Sequence, residues 1–344
     1  MKYFLTGATG FVGGRVARQL REAGHEVVAV VRAPEKAEDL AALGVQLHKG
    51  DVTDKESMRR PMAAVDGVFH VAGWYKIGAR DKSQAIPVNV DGTRNVLELM
   101  KELRIPKGVY TSSLVVFSDT RGRLVDETYR FEGTHLSEYD RTKWLAHELA
   151  ETMILGGLPL VIVMPGVVYG PGDTSDLHAA FTRYLWRTLP MIPSQTAFCW
   201  AHVDDVARAH LLAMEKGKPG ETYIIAGPRH TLVEALELAE KITGIPAPRW
   251  RASPGLLKAL STLMRVIEKF TYLPEIYTAE SLRVAAGVTY LGDNAKARRE
   301  LGYQPRPLDA DAGLRETLEY EMKRWGMKRP ISDQTAVRRN ADER

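Results

Sequence analysis

Short runs of four to seven apolar residues alternate with stretches whose apolar positions recur every three or four residues. The runs predict strands at 3–6, 26–31, 45–49, 68–71, 108–111 and 160–164, and the longer spacing predicts helices at 11–23, 34–43, 92–103 and 138–155. Strands apolar on both faces and separated by helices predict an α/β protein with a doubly wound parallel sheet. After Gly170 the alternation weakens to one strand at 222–226 and helices at 232–243, 254–270 and about 310–325. The expected organisation is a sheet domain over 1–170, to which part of 196–230 returns. A smaller, mainly helical lobe over 171–325 and a tail over 326–344 complete it.

Composition narrows the class. Net charge is only +4 over 344 residues, with cations scattered among carboxylates, so no nucleic-acid binder is expected. The single cysteine, Cys199, excludes an internal disulfide and a cysteine-cluster zinc site. With the first strand beginning at once, without a charged leader, a cytoplasmic location is expected. The stretch SPGLLKALSTLMRVIEKFTY is broken by Lys258, Arg265 and Glu268, and reads as an amphipathic helix, with no membrane span.

The first strand runs into LTGATGFVGGRVA, with glycines at 7, 10 and 13. A strand-to-helix turn here needs backbone angles that a Cβ opposes, and it brings main-chain N–H groups and a helix N-terminus close to a pyrophosphate. The spacing is G-x-x-G-x-x-G instead of the commoner G-x-G-x-x-G, so the context of strand, turn and helix carries the reading. At the end of the second strand, where a dinucleotide's adenosine ribose is read, stands Arg32, with Lys36 beyond and no carboxylate before Pro34. Either they are two solvated cations at a helix start, or they pair with a 2′-phosphate; the second reading favours NADP(H), with NAD(H) possible. Asp51 follows the third strand, where it would accept from the adenine amino group.

EYDRTKWLAHE puts Tyr139 and Lys143 on one helix face. A phenol with a pKa near 10 needs a neighbouring ammonium to work as an acid–base group at neutral pH, and Lys143 is expected to lower it. YTSS supplies Ser112 and Ser113 at the carboxyl end of a strand, to hold a carbonyl oxygen. The cluster His202, Asp204 and Asp205 reads as a loop-to-helix junction capped by Asp, and no metal is expected.

TGATGFVGG, HVAG, NVDGTRNV, YTSS, YDRTK and PGVVYGPGD, with HVDDVARAHLLAMEKG and ARRELGYQPRPL, resemble the extended short-chain dehydrogenase/reductase family, nearest its dihydroflavonol-4-reductase-like group. The resemblance spans about 1–325 and implies a Rossmann domain with a small substrate lobe. It implies Tyr139 as acid/base, Lys143 as its partner and ribose ligand, and Ser113, leading into LVVF, as carbonyl orienter. It implies cofactor contacts from Thr6, Gly7, Thr9, Gly10, Phe11, Val12 and Gly13 in the turn, and from Asp51 and Val52. Val71, Ala72, Gly73, Asn89 and Thr111 would add to these, and Pro165, Gly166, Val167 and Val168 would frame the nicotinamide. Asn89 would also tie its strand region to the active-site loop. A homodimer through the helices near 92–103 and 138–155 is implied too.

TAFCWAHVDD lacks the arginine that nucleotide-sugar epimerases of the family carry there. Trp74, Tyr75, Trp186 and Trp200 suggest an apolar or aromatic substrate, or else pack an interface. The reading is an NADP(H)-dependent reductase or dehydrogenase of a small carbonyl or alcohol. The alternatives are a nucleotide-sugar epimerase/dehydratase with bound NAD and, outside the enzymes, a dinucleotide-sensing protein.

Overall fold

In the computed structural model, which describes residues 1–327, thirteen strands and twelve α-helices follow one another. The strands are β1 (Lys2–Thr6), β2 (Glu26–Val31), β3 (Gln46–Lys49), β4 (Gly67–His70), β5 (Gly108–Thr111), β6 (Leu160–Pro165), β7 (Val167–Tyr169), β8 (Ile192–Pro193), β9 (Ala197–His202), β10 (Thr222–Ile225), β11 (Arg229–Thr231), β12 (Arg251–Ala252) and β13 (Thr289–Tyr290). The helices are α1 (Phe11–Glu22), α2 (Glu38–Ala42), α3 (Lys55–Met62), α4 (Gly92–Glu102), α5 (Glu138–Leu155), α6 (Asp176–Leu185), α7 (Val203–Lys216), α8 (Leu232–Thr243), α9 (Pro254–Ile267), α10 (Ala279–Val284), α11 (Ala295–Leu301) and α12 (Glu316–Arg324).

Seven strands form one parallel sheet in the order β10-β6-β5-β4-β1-β2-β3. Alternation explains why both faces are covered. Phe4, Val28, Val68, Tyr110 and Ile162 enter a core with α3, α4 and α5. Their neighbours Tyr3, Leu5, Val27, Phe69 and Val161 enter another with α1, α2, α7 and α11. The strand order reverses between β1 and β4, and the crevice above their carboxyl ends is where such sheets take ligands.

A second sheet, β11-β9-β13 with β7 on β9, backs a separate core containing Tyr169, Phe181, Tyr184, Trp200, Leu236 and Leu318. The chain returns to the main sheet through α7 and β10, and again through α11, which packs on both; the second return falls inside the stretch expected to belong mainly to the substrate lobe. The helix expected over 310–325 is broken, because Ala312 and Gly313 have non-helical angles and the α-helix begins only at Glu316. Among the described residues no helix is long and apolar enough to cross a membrane. All but the first two residues of the expected tail lie outside the described residues.

Candidate active site

The glycine turn is locked by backbone contact. Gly7 has φ +75°, and a Cβ there would lie 2.7 Å from the Ala72 nitrogen; a Cβ on Gly13 would lie 2.0 Å from the Gly7 oxygen. Helix α1 starts at Gly10 with no side-chain cap and no acidic residue in its first turn, and Thr9 and Gly10 are exposed. Its first N–H groups and its positive dipole end therefore stand open to an anion, which fits the pyrophosphate of a dinucleotide.

Thr6 joins the two strands that flank the switch point. Its Oγ1 accepts from the Val71 and Ala72 amides, both at 3.2 Å, so its own proton goes to Nδ1 of His70 at 2.8 Å. His70 then donates from Nε2 to Thr93 Oγ1 at 3.0 Å, and Thr93 donates to the Asn89 carbonyl at 2.6 Å. Burial, with the Lys143 charge behind it, holds the His70 pKa down to about 3 and keeps the ring neutral.

Asn89 sits in a π-helical stretch, Pro87–Asp91, just before α4. Its Oδ1 accepts from the Trp74 amide at 2.7 Å, and its Nδ2 donates to the Trp74 carbonyl and to Thr142 Oγ1, each at 2.9 Å. The loop after β4 is thereby pinned to α5 between Tyr139 and Lys143.

Helix α5 is capped by Ser137, whose Oγ accepts from the Asp140 amide. The Tyr139 hydroxyl is pushed up to about 12 by burial, with a hydrogen bond to Ser113 acting the other way and Asp140 and Tyr75 adding to the rise. Lys143 is buried, and desolvation brings it down to about 7. Its Nζ donates to the Thr111 carbonyl at 2.7 Å and to the Tyr110 hydroxyl at 3.3 Å, over the Tyr110 ring. The expected lowering of Tyr139 by Lys143 is thus not met here: the ammonium is engaged elsewhere, and burial dominates. Tyr139 is a protonated phenol at neutral pH, suited to giving a proton to a carbonyl oxygen.

The two serines part company. Ser112 is buried against Nδ1 of His147 at 2.9 Å, and His147 in turn lies 3.4 Å from Glu151. Ser113 opens the short 3₁₀ turn Leu114–Phe117 and meets Tyr139. Beside Tyr139, Asp140 takes hydrogen bonds from Ser137, Ser118 and Tyr290, yet burial raises its carboxyl to about 7.

Several expected site residues lie elsewhere. Trp200 is fully buried in the smaller lobe and donates Nε1 to the His230 carbonyl, so it is core and lines nothing. Trp186 ends α6, half-exposed and edge-on to Trp325. The Val52 side chain packs in the core against Gly92, and its carbonyl is taken by Asn95. Thr111 turns its hydroxyl to His210, leaving only its carbonyl for Lys143. Arg32 is 85% exposed, but its Nε lies 4.0 Å from Asp51, so a carboxylate does stand at that strand end; Lys36 is exposed nearby. The α7 cap is His202, which accepts from the Asp204 amide; Asp204 pairs with Arg15 and Asp205 with Arg306. Trp74 is half-buried, Tyr75 reaches Thr174, and Val167 and Val168 pair with β9 beyond Pro165 and Gly166.

The sequence analysis does not single out His70, Thr93, Tyr110, Thr142 or Glu280, although HVAG, NVDGTRNV, YTSS and YDRTK contain the first four. Glu280, on α10, accepts from the Glu138 amide at the start of α5 and pairs with Lys82.

Residues 3–226 match the model of the NAD dependent epimerase/dehydratase family. The chain is 34% identical over 255 residues to a putative dihydroflavonol 4-reductase of Synechocystis sp., covering 72% of this chain and 74% of that one. It is 30% identical over 314 residues to sterol demethylase protein B of Methylococcus capsulatus, covering 89% and 94%. It superposes on the crystal structure of gox2253 with a TM-score of 0.82 at 30% identity, over 95% of this chain and 99% of the other.

Proposed function

Because the chain belongs to the NAD dependent epimerase/dehydratase family and is an oxidoreductase of the extended short-chain dehydrogenase/reductase type, we propose that it is an NADP(H)-dependent carbonyl reductase, or in reverse an alcohol dehydrogenase, of an apolar, lipid-like substrate. One observation carries the reading: the protonated Tyr139 hydroxyl and Ser113 meet at the carboxyl edge of the sheet, with Lys143 buried one helical turn away.

The turn from Thr6 to Gly13 would hold the pyrophosphate, Arg32 and Lys36 the 2′-phosphate, Val71 to Gly73 the floor, and Lys143 a ribose hydroxyl. When bound, the nicotinamide supplies or accepts the hydride. Ser113 orients the carbonyl oxygen, and Tyr139 donates the proton that oxygen takes as it becomes an alcohol. Lys143, one helical turn along α5, would balance the phenolate left behind, although burial lowers its pKa. Asn89 holds the Trp74 loop against this helix, so the substrate wall and the acid move together.

Two observations favour an apolar substrate over a nucleotide sugar. The segment ahead of α7 offers Phe198, stacked on Tyr290 at 6.1 Å, and no cation. One relative is named for sterol chemistry. The homodimer through α4 and α5 belongs to the same proposal.

Tyr139→Phe tests the chemistry. NADPH oxidation with a panel of ketones and aldehydes is expected to fall by about 10²–10⁴-fold, while NADPH titration by tryptophan fluorescence stays near that of the unmodified protein. Retention of most of the turnover would reject the assigned roles.

A further inference from the structure

Helix α9 is covered on one side only. Leu257, Leu260, Ser261 and Met264 face inward, packing with Leu282, Ala285 and Ala286. A second apolar stripe faces solvent: Leu256, Ala259, Leu263, Val266 and Phe270 follow one another at intervals of three and four. Leu263 and Val266 are 52% and 55% exposed and Phe270 85%, and exposed Trp250 and Tyr272 flank the stripe. Phe270 keeps the helical period because Glu268, past the helix end, is still in the α conformation.

A third stripe, Lys258, Thr262, Arg265 and Lys269, runs beside the exposed apolar one and is exposed too. Residues 249–272 hold five cations and one carboxylate, Glu268, which is turned inward to accept from the Ala279 amide. Among the described residues Arg249, Lys258, Arg265 and Lys269 make no ion pair, and Arg251 pairs with Glu237. An outward apolar stripe bordered by unpaired cations and flanked by Trp and Tyr is the pattern of a helix lying in the headgroup region of an anionic bilayer. At 14 residues the helix is too short to span one.

The position gives the surface a use. The α9–α10 pair is clasped to the loop after β4: Tyr272 lies under Arg80, Gly78 packs against Thr278 and Ser281, and Glu280 bonds both Lys82 and the start of α5. That loop begins with Trp74 and Tyr75, and Asn89 ties Trp74 to Thr142 on α5, between Tyr139 and Lys143. We propose that the outer face of α9 and the turn after it dock the protein on an anionic membrane surface, beside the entrance to the site, so that a lipophilic carbonyl substrate reaches Ser113 and Tyr139 from the bilayer. The purpose rests on the lipid-like substrate reading above; the binding does not.

The test needs no substrate. The full chain is sedimented with phosphatidylcholine vesicles holding about a third phosphatidylglycerol, and with phosphatidylcholine alone. Binding is expected to the anionic vesicles and to weaken at high salt. Lys258→Ala and Arg265→Ala should each lower the partition about fivefold. The double variant Leu263→Asp/Val266→Asp should lower it by at least about tenfold while keeping turnover on a water-soluble ketone, because neither residue belongs to the site. Absence of binding to anionic vesicles, or equal binding by the double variant, overturns the proposal. Sedimentation velocity supplies the rival outcome: a dimer that the double variant dissociates, with no vesicle binding by either protein, assigns the face to a second copy. Vesicle binding by a protein that reduces no ketone would sink the catalytic reading and leave the docking intact.

Discussion

Gly13 and Gly255 each sit in the first turn of a helix, Gly13 in α1 and Gly255 in α9, and an added methyl group would be received very differently. At Gly13 it would lie 2.0 Å from the Gly7 carbonyl oxygen and 2.6 Å from its carbon; at Gly255 nothing lies within 4 Å. Around Gly13 the backbone of three segments interlocks, because Gly7 also abuts Ala72 and Thr6 bonds the amides of β4's end. At Gly255 the helix turns an open face to solvent, while its neighbours Pro254 and Leu257 pack inward. The first region is shaped by what must approach it closely, and its residue type follows from sterics. The second is shaped by what it leaves uncovered, and there the pattern of side chains carries the information.

The comparison is broken most directly at Gly13. Gly13→Ala is expected to cost about 3 kcal/mol or more, since backbone has to move, and to abolish dinucleotide binding. Chemical denaturation with NADPH titration reads both, and a variant of unchanged stability would mean that the turn is looser than its geometry. Next comes the charge at the far end of the same ligand track. Arg32→Ala should weaken NADPH about tenfold to a hundredfold, the range for a lost charge-assisted hydrogen bond, and leave NADH little changed. Asp51, 4.0 Å from Arg32, sharpens this, because without the guanidinium it faces the phosphate unopposed. Tighter NADH than NADPH binding by the unmodified protein would remove the argument for the 2′-phosphate. The smallest effect belongs to α9, where Gly255→Ala should raise stability by up to about 0.5–1 kcal/mol through helix propensity. A loss of stability there would mean that Gly255 has a neighbour after all.

The same contrast explains what could be read from the chain. The central main-sheet strands were visible because burial on both faces leaves uninterrupted apolar runs, whereas the edge strand β3, QLHK, is only partly buried; β2, β5 and the long helix α5 fall at their expected bounds. The glycine turn was legible because glycines at 7, 10 and 13 fall between an apolar run and a helical period, the context a dinucleotide turn requires. By contrast β9 and α6 gave no clear period. The strand AFCWAH pairs only with segments distant in the chain, so its partners leave no local trace. The Lys143 interaction with the Thr111 carbonyl was invisible in principle, because a backbone acceptor has no residue signature. For Trp200 the sequence leaves a pocket wall and packing both open, because a large aromatic side chain serves either equally well; its neighbours in the smaller lobe decide for packing. Arg32 and Asp51 are nineteen positions apart in sequence and meet only because β2 and β3 end side by side.

The π-helical stretch at Pro87–Asp91 ties the site to chain length as well as to residue identity. A π-bulge holds one residue more than the α-helical path it replaces, and here the surplus brings Asn89 to both Trp74 and Thr142. Deleting one residue between 87 and 91 would let the segment relax into ordinary helix and swing Asn89 about 100° around its axis, while Ser113, Tyr139 and Lys143 kept their identity. Proteins of this architecture that differ here by a single insertion or deletion would therefore differ in how the loop after β4 is coupled to α5, even where an alignment of their Ser, Tyr and Lys is perfect.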